Sequence, residues 1–341
     1  MGYQTMIIVL LTSILLSITI ISLSTVWNKS VRNVSGQIED QQAINVATSG
    51  IDMALAQLRM NKAWRSGYDD LEIADGVCDV TLADVGVDSV QITAVGTCGE
   101  QEHTSVVVVK FSPTIPVANA ALSIYGDSVT FYNSGKSFLI DGRDYTSSGS
   151  LSGNPSLNGI SVTAAHTEAS LEAFLVKGKV GSNVSGAGTS PSIGLTSALD
   201  IVQLKEQVRS MATLTLTPGK ITGNLVIGTL AAPVIAYVPG DIEFKGNVSG
   251  AGILVVDGIL TMGGNFFWKG IVISVSGSAA VNLGGSGNPY VLGSCIVGSS
   301  SSTITDVSVN GNVCCRYSSE TISTVCNNLN LMSLEVKSWL E

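Results

Sequence analysis

Six cysteines and two histidines are the side chains of this sequence best suited to hold a metal or to cross-link the chain. The cysteines are Cys78, Cys98, Cys295, Cys314, Cys315 and Cys326, and no two of them form a C-x-x-C pair. His103 and His166 share no ligand-spaced motif with them, so no zinc or other metal is expected. An even cysteine count behind a hydrophobic N-terminus predicts disulfides made in an oxidising compartment. Cys78 and Cys98 sit on or beside neighbouring strands and are expected to bridge. Adjacent strand residues face opposite ways, so Cys314 and Cys315 are expected to take different partners among Cys295 and Cys326.

Carboxylate chemistry needs acids clustered on one face. Asp241, Glu243, Lys245, Asp257 and Lys269 are the charged residues between Gly240 and Gly270, and Ile271 to Thr305 has none. Asp141, Arg143 and Asp144 form one compact group, read as a turn that exposes its charges. No G-x-S-x-G, H-E-x-x-H or P-loop pattern occurs. The chain is therefore read as non-catalytic and without a cofactor. A net charge of −9 leaves no basic stripe for phosphates, so nucleic acid is not an expected partner.

The element that positions everything else is the N-terminal run. Met6 to Val26 carries no charge and is long enough to cross a bilayer core, which takes about 20 residues. The expected membrane and assembly positions are Met6, Ile7, Leu10, Leu11, Leu15, Ile18, Ile21, Val26 and Trp27. A secretory signal would have a basic start and a small-residue cleavage site. Neither is present around this run, so it is read as a retained helix. Beyond it, Val31, Val34, Ile38, Ile44, Ala47, Ile51, Leu55 and Leu58 form a stripe mostly at steps of three or four, the mark of an amphipathic helix. A long helix over 1–62 follows, with 6–27 as the transmembrane or filament-core part.

The next segment, 63–116, alternates like strands at Val77–Leu82, Val90–Val95 and Ser105–Phe111. It predicts a small three-stranded antiparallel sheet backed by the amphipathic half of the helix, with Pro113 and Pro116 marking its end. From 117 to 317 short apolar runs close on glycine. Gly-Asn begins at Gly223, Gly246, Gly264, Gly287 and Gly311, at steps of 23, 18, 23 and 24. A period of about 20 to 25 is that of a parallel β-helix, or β-solenoid. The Ser/Gly/Thr-rich stretch and possible helices over about 147–212 are read as an insertion, and 318–341 as a helical cap. The fold class is thus α+β, with a mainly β C-terminal domain. Within it, Phe266-Phe267-Trp268 cannot all turn inwards. Phe266 and Trp268 are expected outside, as a candidate contact surface, with the strand ending at Gly270.

Two stretches carry a family resemblance. Ala43 to Leu58, AINVATSGIDMALAQL, follows the greasy helix and matches the pattern A-x-[AS]-G-(aliphatic)-x-x-A from Ala47 to Ala54. It resembles the type IV pilin-like proteins, particularly PilX-type pilus assembly proteins. Gly246 to Asn265, with Phe267 to Ile273 after it, is similar to the C-terminal β-solenoid region of large bacterial members. The resemblance implies a structural, minor or assembly pilin. Such a protein sits in the inner membrane before assembly and in an extracellular filament of the cell envelope afterwards. Its partners would be copies of itself or other pilin-like subunits, with a possible surface ligand. The other readings are a membrane-anchored β-helix scaffold or adhesin that does not assemble, and a carbohydrate-active β-helix enzyme.

Overall fold

The computed structural model describes all residues except 1, 87, 116–118, 127, 134–136, 278–279, 284–286, 301–303, 310–311 and 341. Pro116 and Gly311 therefore lie outside the described residues. The chain divides into two compact units, Met1–Ser112 with Ser333–Glu341, and Pro113–Met332.

The first unit is built on helix α1, Gly2–Met60, a single run of 59 residues. Its far half buries Ala43, Val46, Ala47, Ile51, Ala54, Leu55 and Leu58, a stripe that faces a sheet. Val31, Val34 and Ile38, expected in that stripe, are exposed instead, so the buried face begins only at Ala43. The sheet contains β1 (Tyr68–Ile73), β2 (Gly76–Asp84), β3 (Ser89–Cys98) and β4 (Gln101–Pro113), all antiparallel and in that order. Burial alternates along β3, as it must when one face meets a helix and the other does not. Small residues set the distance between the two layers. A side chain at Gly96 would stand against the Ala43 carbonyl and the Ala47 nitrogen, and one at Gly50 against Cys78 Sγ. Gly50 weakens the helix as an isolated helix but lets it lie close on the sheet.

Two further strands enlarge the expected three-stranded sheet to five. One is β1; the other is the C-terminal strand Met332–Leu340, which lies beside β4. The expected helical cap over 318–341 is thereby corrected. Only Ser319–Asn328 is helical, and Asn330, at φ 56, turns the chain out of it. Beyond that turn Leu334 and Val336 alternate with Ser333, Glu335 and Lys337, a period of two.

The second unit contains two sheets with parallel pairing throughout. In the larger, strands follow the spatial order Ile193–Leu195, Asn158–Val162, Ala120–Tyr125, Tyr290–Ser299, Asn265–Ser276, Asn247–Val256, Val234–Val238 and Leu214–Thr215. In the smaller, the order is Gly219–Ile221, Ile242–Phe244, Leu260–Met262, Ala280–Leu283, Ile304–Val309 and Ser128–Asn133. Asn247 pairs with Asn265, and Phe267 with Tyr290, so neighbouring strands are offset by 18 and 23 residues as in the Gly-Asn series. The asparagines of that series bond along the stack. Asn265 Nδ2 donates to Asn247 Oδ1 at 2.8 Å, Asn247 to Asn224 at 2.9 Å, and Asn312 to Asn288 at 3.1 Å.

Spatial order departs from chain order in one place. Residues 120–125 lie against the last long strand, with Cys295 opposite Leu122. Asn158–Val162 and Ile193–Leu195 continue the sheet outward from there. The region 147–212 is thus no simple insertion. It supplies the strands Asn158–Val162, Val184–Ser185 and Ile193–Leu195 together with helix α2, Ala165–Lys177. Helix α3, Ile201–Ser210, then carries the chain to the opposite end of the sheet, where Leu214–Thr215 begins. Asp200 caps α3 by accepting from Val202 N and Gln203 N, and the nearly buried Lys205 ties it down through Asp257 at 2.9 Å. Helix α4, Ser319–Asn328, packs on the same sheet, with Val325 against Gly270.

Candidate functional site

The expected assembly positions lie on the half of α1 that is exposed among the described residues. Ile7, Leu10, Leu11, Leu15, Ile18, Ile21, Val26 and Trp27 are all exposed, Leu15 at 63% and Trp27 at 72%. The Met6 side chain lies outside the described residues. The most apolar 18-residue window has a mean hydropathy of 2.5 and is 0% buried. Several hydroxyls of this half bond to its own backbone. Thr12 donates to the Ile8 carbonyl at 2.9 Å, Ser17 to Ser13 at 2.8 Å and Thr25 to Ile21 at 2.8 Å. These donors are thereby met inside the helix, as hydrocarbon requires. From Ile7 to Trp27 the helix rises about 1.5 Å per residue, which brings it close to the roughly 30 Å of a bilayer core.

No disulfide joins the six cysteines in this structure. Cys78 lies opposite Gly96, so Cys98 is its diagonal neighbour, two residues along β3. Diagonal residues stand about 7–8 Å apart, beyond the usual span of a disulfide. Each thiol has its own setting. Cys98 donates to Gln42 Oε1 at 3.1 Å, while burial and the nearby Asp79 push the Cys78 thiol up. Cys295 and Cys315 are the pair that meet, their sulfurs 3.8 Å apart in the core of the second unit. The Cys295 contact and burial hold the Cys315 thiol well above its ordinary value. Cys314, on the other face of the strand Cys314–Tyr317, is pushed up to about 11, chiefly by burial. Cys326 is buried on α4.

The aromatic run is oriented opposite to expectation. Phe266 and Trp268 are fully buried, and Phe267 is the ring outside, 38% exposed. The strand does not end at Gly270 but continues to Ser276. Trp268 enters because Gly250 lies directly opposite it and leaves room for the ring. Its Nε1 donates to the Gly252 carbonyl at 3.2 Å, which meets the one polar demand of a buried indole. Phe266 fills the space between Trp268 and Phe244, with ring centroids 6.2 and 5.1 Å away. Phe267 stacks on Tyr290 at 5.2 Å, in register with it on the next strand.

The polar group at 141–145 is not an exposed turn either. Asp141 and Asp144 are both buried. Asp141 accepts from Arg143 Nη2 at 2.6 Å and from the Tyr145 hydroxyl at 2.7 Å. Burial alone would raise its pKa, but these bonds outweigh burial and hold it below the usual carboxylate range. Asp144 accepts from Ser319 N, Ser319 Oγ, Ser152 Oγ and Asn154 Nδ2 at 2.7–2.8 Å. It thereby fastens the start of α4, and the same balance lowers its pKa. Both carboxylates have their acceptor sites filled by structural donors. Asp257, in turn, faces Lys205 and Tyr237, and Glu243 pairs with Lys245 at 2.9 Å. Among the described residues no three His, Cys, Asp or Glu side chains converge.

This bonding has a pH signature. A carboxyl with a lowered folded pKa stabilises above its unfolded value, about 3.9, and loses that contribution as pH falls through the folded value. Asp144→Ala is therefore expected to cost about 3 kcal/mol at pH 7, since it leaves several buried donors unmet. The gap between variant and parent should close as the pH drops below about 4. Denaturant titrations at a series of pH values read this directly, and a gap independent of pH would contradict it.

No family model matches the chain, and no curated protein matches it. Among solved structures, the competence-associated pilin ComZ from Thermus thermophilus is similar to it with a TM-score of 0.25 and 10% identity, over 89% of this chain and 97% of that chain.

Proposed function

We propose that this chain is a structural, minor or assembly subunit of a type IV pilus-like filament of the bacterial cell envelope. The observation that carries the reading is the division of α1. One helix is apolar and bare over its first half, then buries a stripe on its own sheet from Ala43 onward. A tether would need only the first half. A subunit that must hold its globular part rigidly to a shared helical core needs both. In this reading the bare half sits in the inner membrane and then among copies of itself or other pilin-like subunits. The two parallel sheets are the walls of a β-solenoid displayed outside, with any surface ligand bound there. The test is to wash membranes at alkaline pH and to label sheared filaments for this protein. Retention in membranes and labelled filaments support the reading. Membrane retention without any filament label turns it to an anchored scaffold or adhesin.

An oxidising location also fixes the thiol chemistry. Peptide mapping of unreduced protein from the envelope is expected to find one bridge, Cys295–Cys315, with Cys78 and Cys98 recovered as thiols. A Cys78–Cys98 peptide would show that β2 and β3 pair in a different register.

A further inference from the structure

The five-stranded sheet of the first unit has two edges of opposite character. β1 carries Asp69, Asp70 and Glu72, and its register breaks between Tyr68 and Leu71, with Asp70 at φ 50. A bulged, acidic edge is a poor template for another strand. The C-terminal strand Met332–Leu340 is the other edge, with β4 as its neighbour. It is nine residues long, has no proline, and no residue in it has positive φ. Every residue from Glu335 to Leu340 is exposed, including Val336, Trp339 and Leu340.

The charges on this edge specify a partner. Glu335 and Lys337 project from one face and pair with each other at 2.9 Å. The order Glu-Val-Lys is self-complementary about Val336. If two copies run antiparallel with a two-fold axis at Val336, Glu335 of each lies opposite Lys337 of the other. An axis at Glu335 would set acid against acid, and one at Lys337 base against base. On the axis at Val336, Leu334 faces Ser338 and the two valines face each other.

We infer that the C-terminal strand is a self-pairing edge, which joins two copies of this chain antiparallel about Val336 into one continuous sheet. Such an interface uses the same patch on both subunits and closes at two. It rests on the sheet edge alone and stands apart from the filament reading, because α1 takes no part in it.

The experiment uses the full chain in detergent micelles. Directly opposed residues of an antiparallel pair have Cα atoms about 4.5–5.5 Å apart, within disulfide range. Val336→Cys with added diamide is therefore expected to give a covalent dimer. Each of the two introduced thiols gives up its proton, the pair passes two electrons to the diamide, and one disulfide forms between the two copies. Ser338→Cys, offset from its own copy by four positions, should cross-link far less. Glu335→Lys and Lys337→Glu each turn two attractions into two repulsions. Each should weaken dimerisation by about tenfold in sedimentation. The double reversal should restore it. Equal cross-linking at both cysteines, no cross-linking at Val336→Cys, or single reversals without effect would each overturn the inference. Association driven by α1 would be indifferent to all of these changes.

Discussion

Leu15→Arg is expected to remove the protein from membranes and from filaments while leaving both folded units intact. Leu15 lies near the middle of the apolar run and is 63% exposed, in a window of which no described part is buried. A charge at the centre of a bilayer costs about 2.5–3.5 kcal/mol. At about 1.4 kcal/mol per factor of ten, the membrane-inserted population falls by on the order of a hundredfold. A helical core shared among subunits would exclude the guanidinium for the same reason, since nothing in the apolar half offers it a partner. Val226→Arg is a matched control, because Val226 is 69% exposed on the second unit and an added charge there stays in water. Alkaline-washed membranes and sheared filaments, quantified for both variants, make the comparison. Wild-type filament levels with Leu15→Arg would remove the basis for the proposed function.

Trp268→Ala is expected to cost the second unit about 3–5 kcal/mol, the range for emptying a large aromatic site in a core. The indole is fully buried, lies against Phe266, sits over Gly250 and has its N–H satisfied by Gly252. Gly250, directly opposite, has no side chain to swing into the space. The adjacent Phe267→Ala should cost less than about 1 kcal/mol, since that ring is partly in water and loses mainly its stacking on Tyr290. Denaturant unfolding of the full chain in detergent, followed by near-ultraviolet circular dichroism, separates the two variants. A neutral Trp268→Ala beside a costly Phe267→Ala would mean that the strand is inserted in the opposite sense.

Both predictions depend on which way consecutive residues face, and that is where the sequence reading had its limit. Alternation requires that Phe266 and Trp268 share one side and Phe267 the other, but it does not say which side is inside. The choice was made by a residue 18 positions away: Gly250, brought opposite Trp268 by parallel pairing, leaves a space that the indole enters. Cys78 and Cys98 show the same limit. Their strands were legible as neighbours, but a bridge depends on register, and register put Gly96 rather than Cys98 opposite Cys78.

What the sequence determined by itself was local. An uncharged run of about 20 residues specifies an exposed apolar helix, because no polar face exists to place against water. The strands of the small sheet were readable in β2, β3 and β4, where side chains alternate and turn residues separate the runs. The Gly-Asn steps of 18 to 24 residues carried over directly into the offsets between paired strands. Tertiary structure decided the rest, since those choices depend on partners distant in the chain. Met332–Leu340 is a strand because β4 offers it an edge, although its spacing also suits a helix. Asp141 and Asp144 are buried because Arg143, Tyr145 and Ser319 meet their charge. Residues 120–195 lie beyond the last long strand because α3 returns the chain to the far end of the sheet. Periodicity records which residues share a face, but pairing energy between distant segments sets what that face meets.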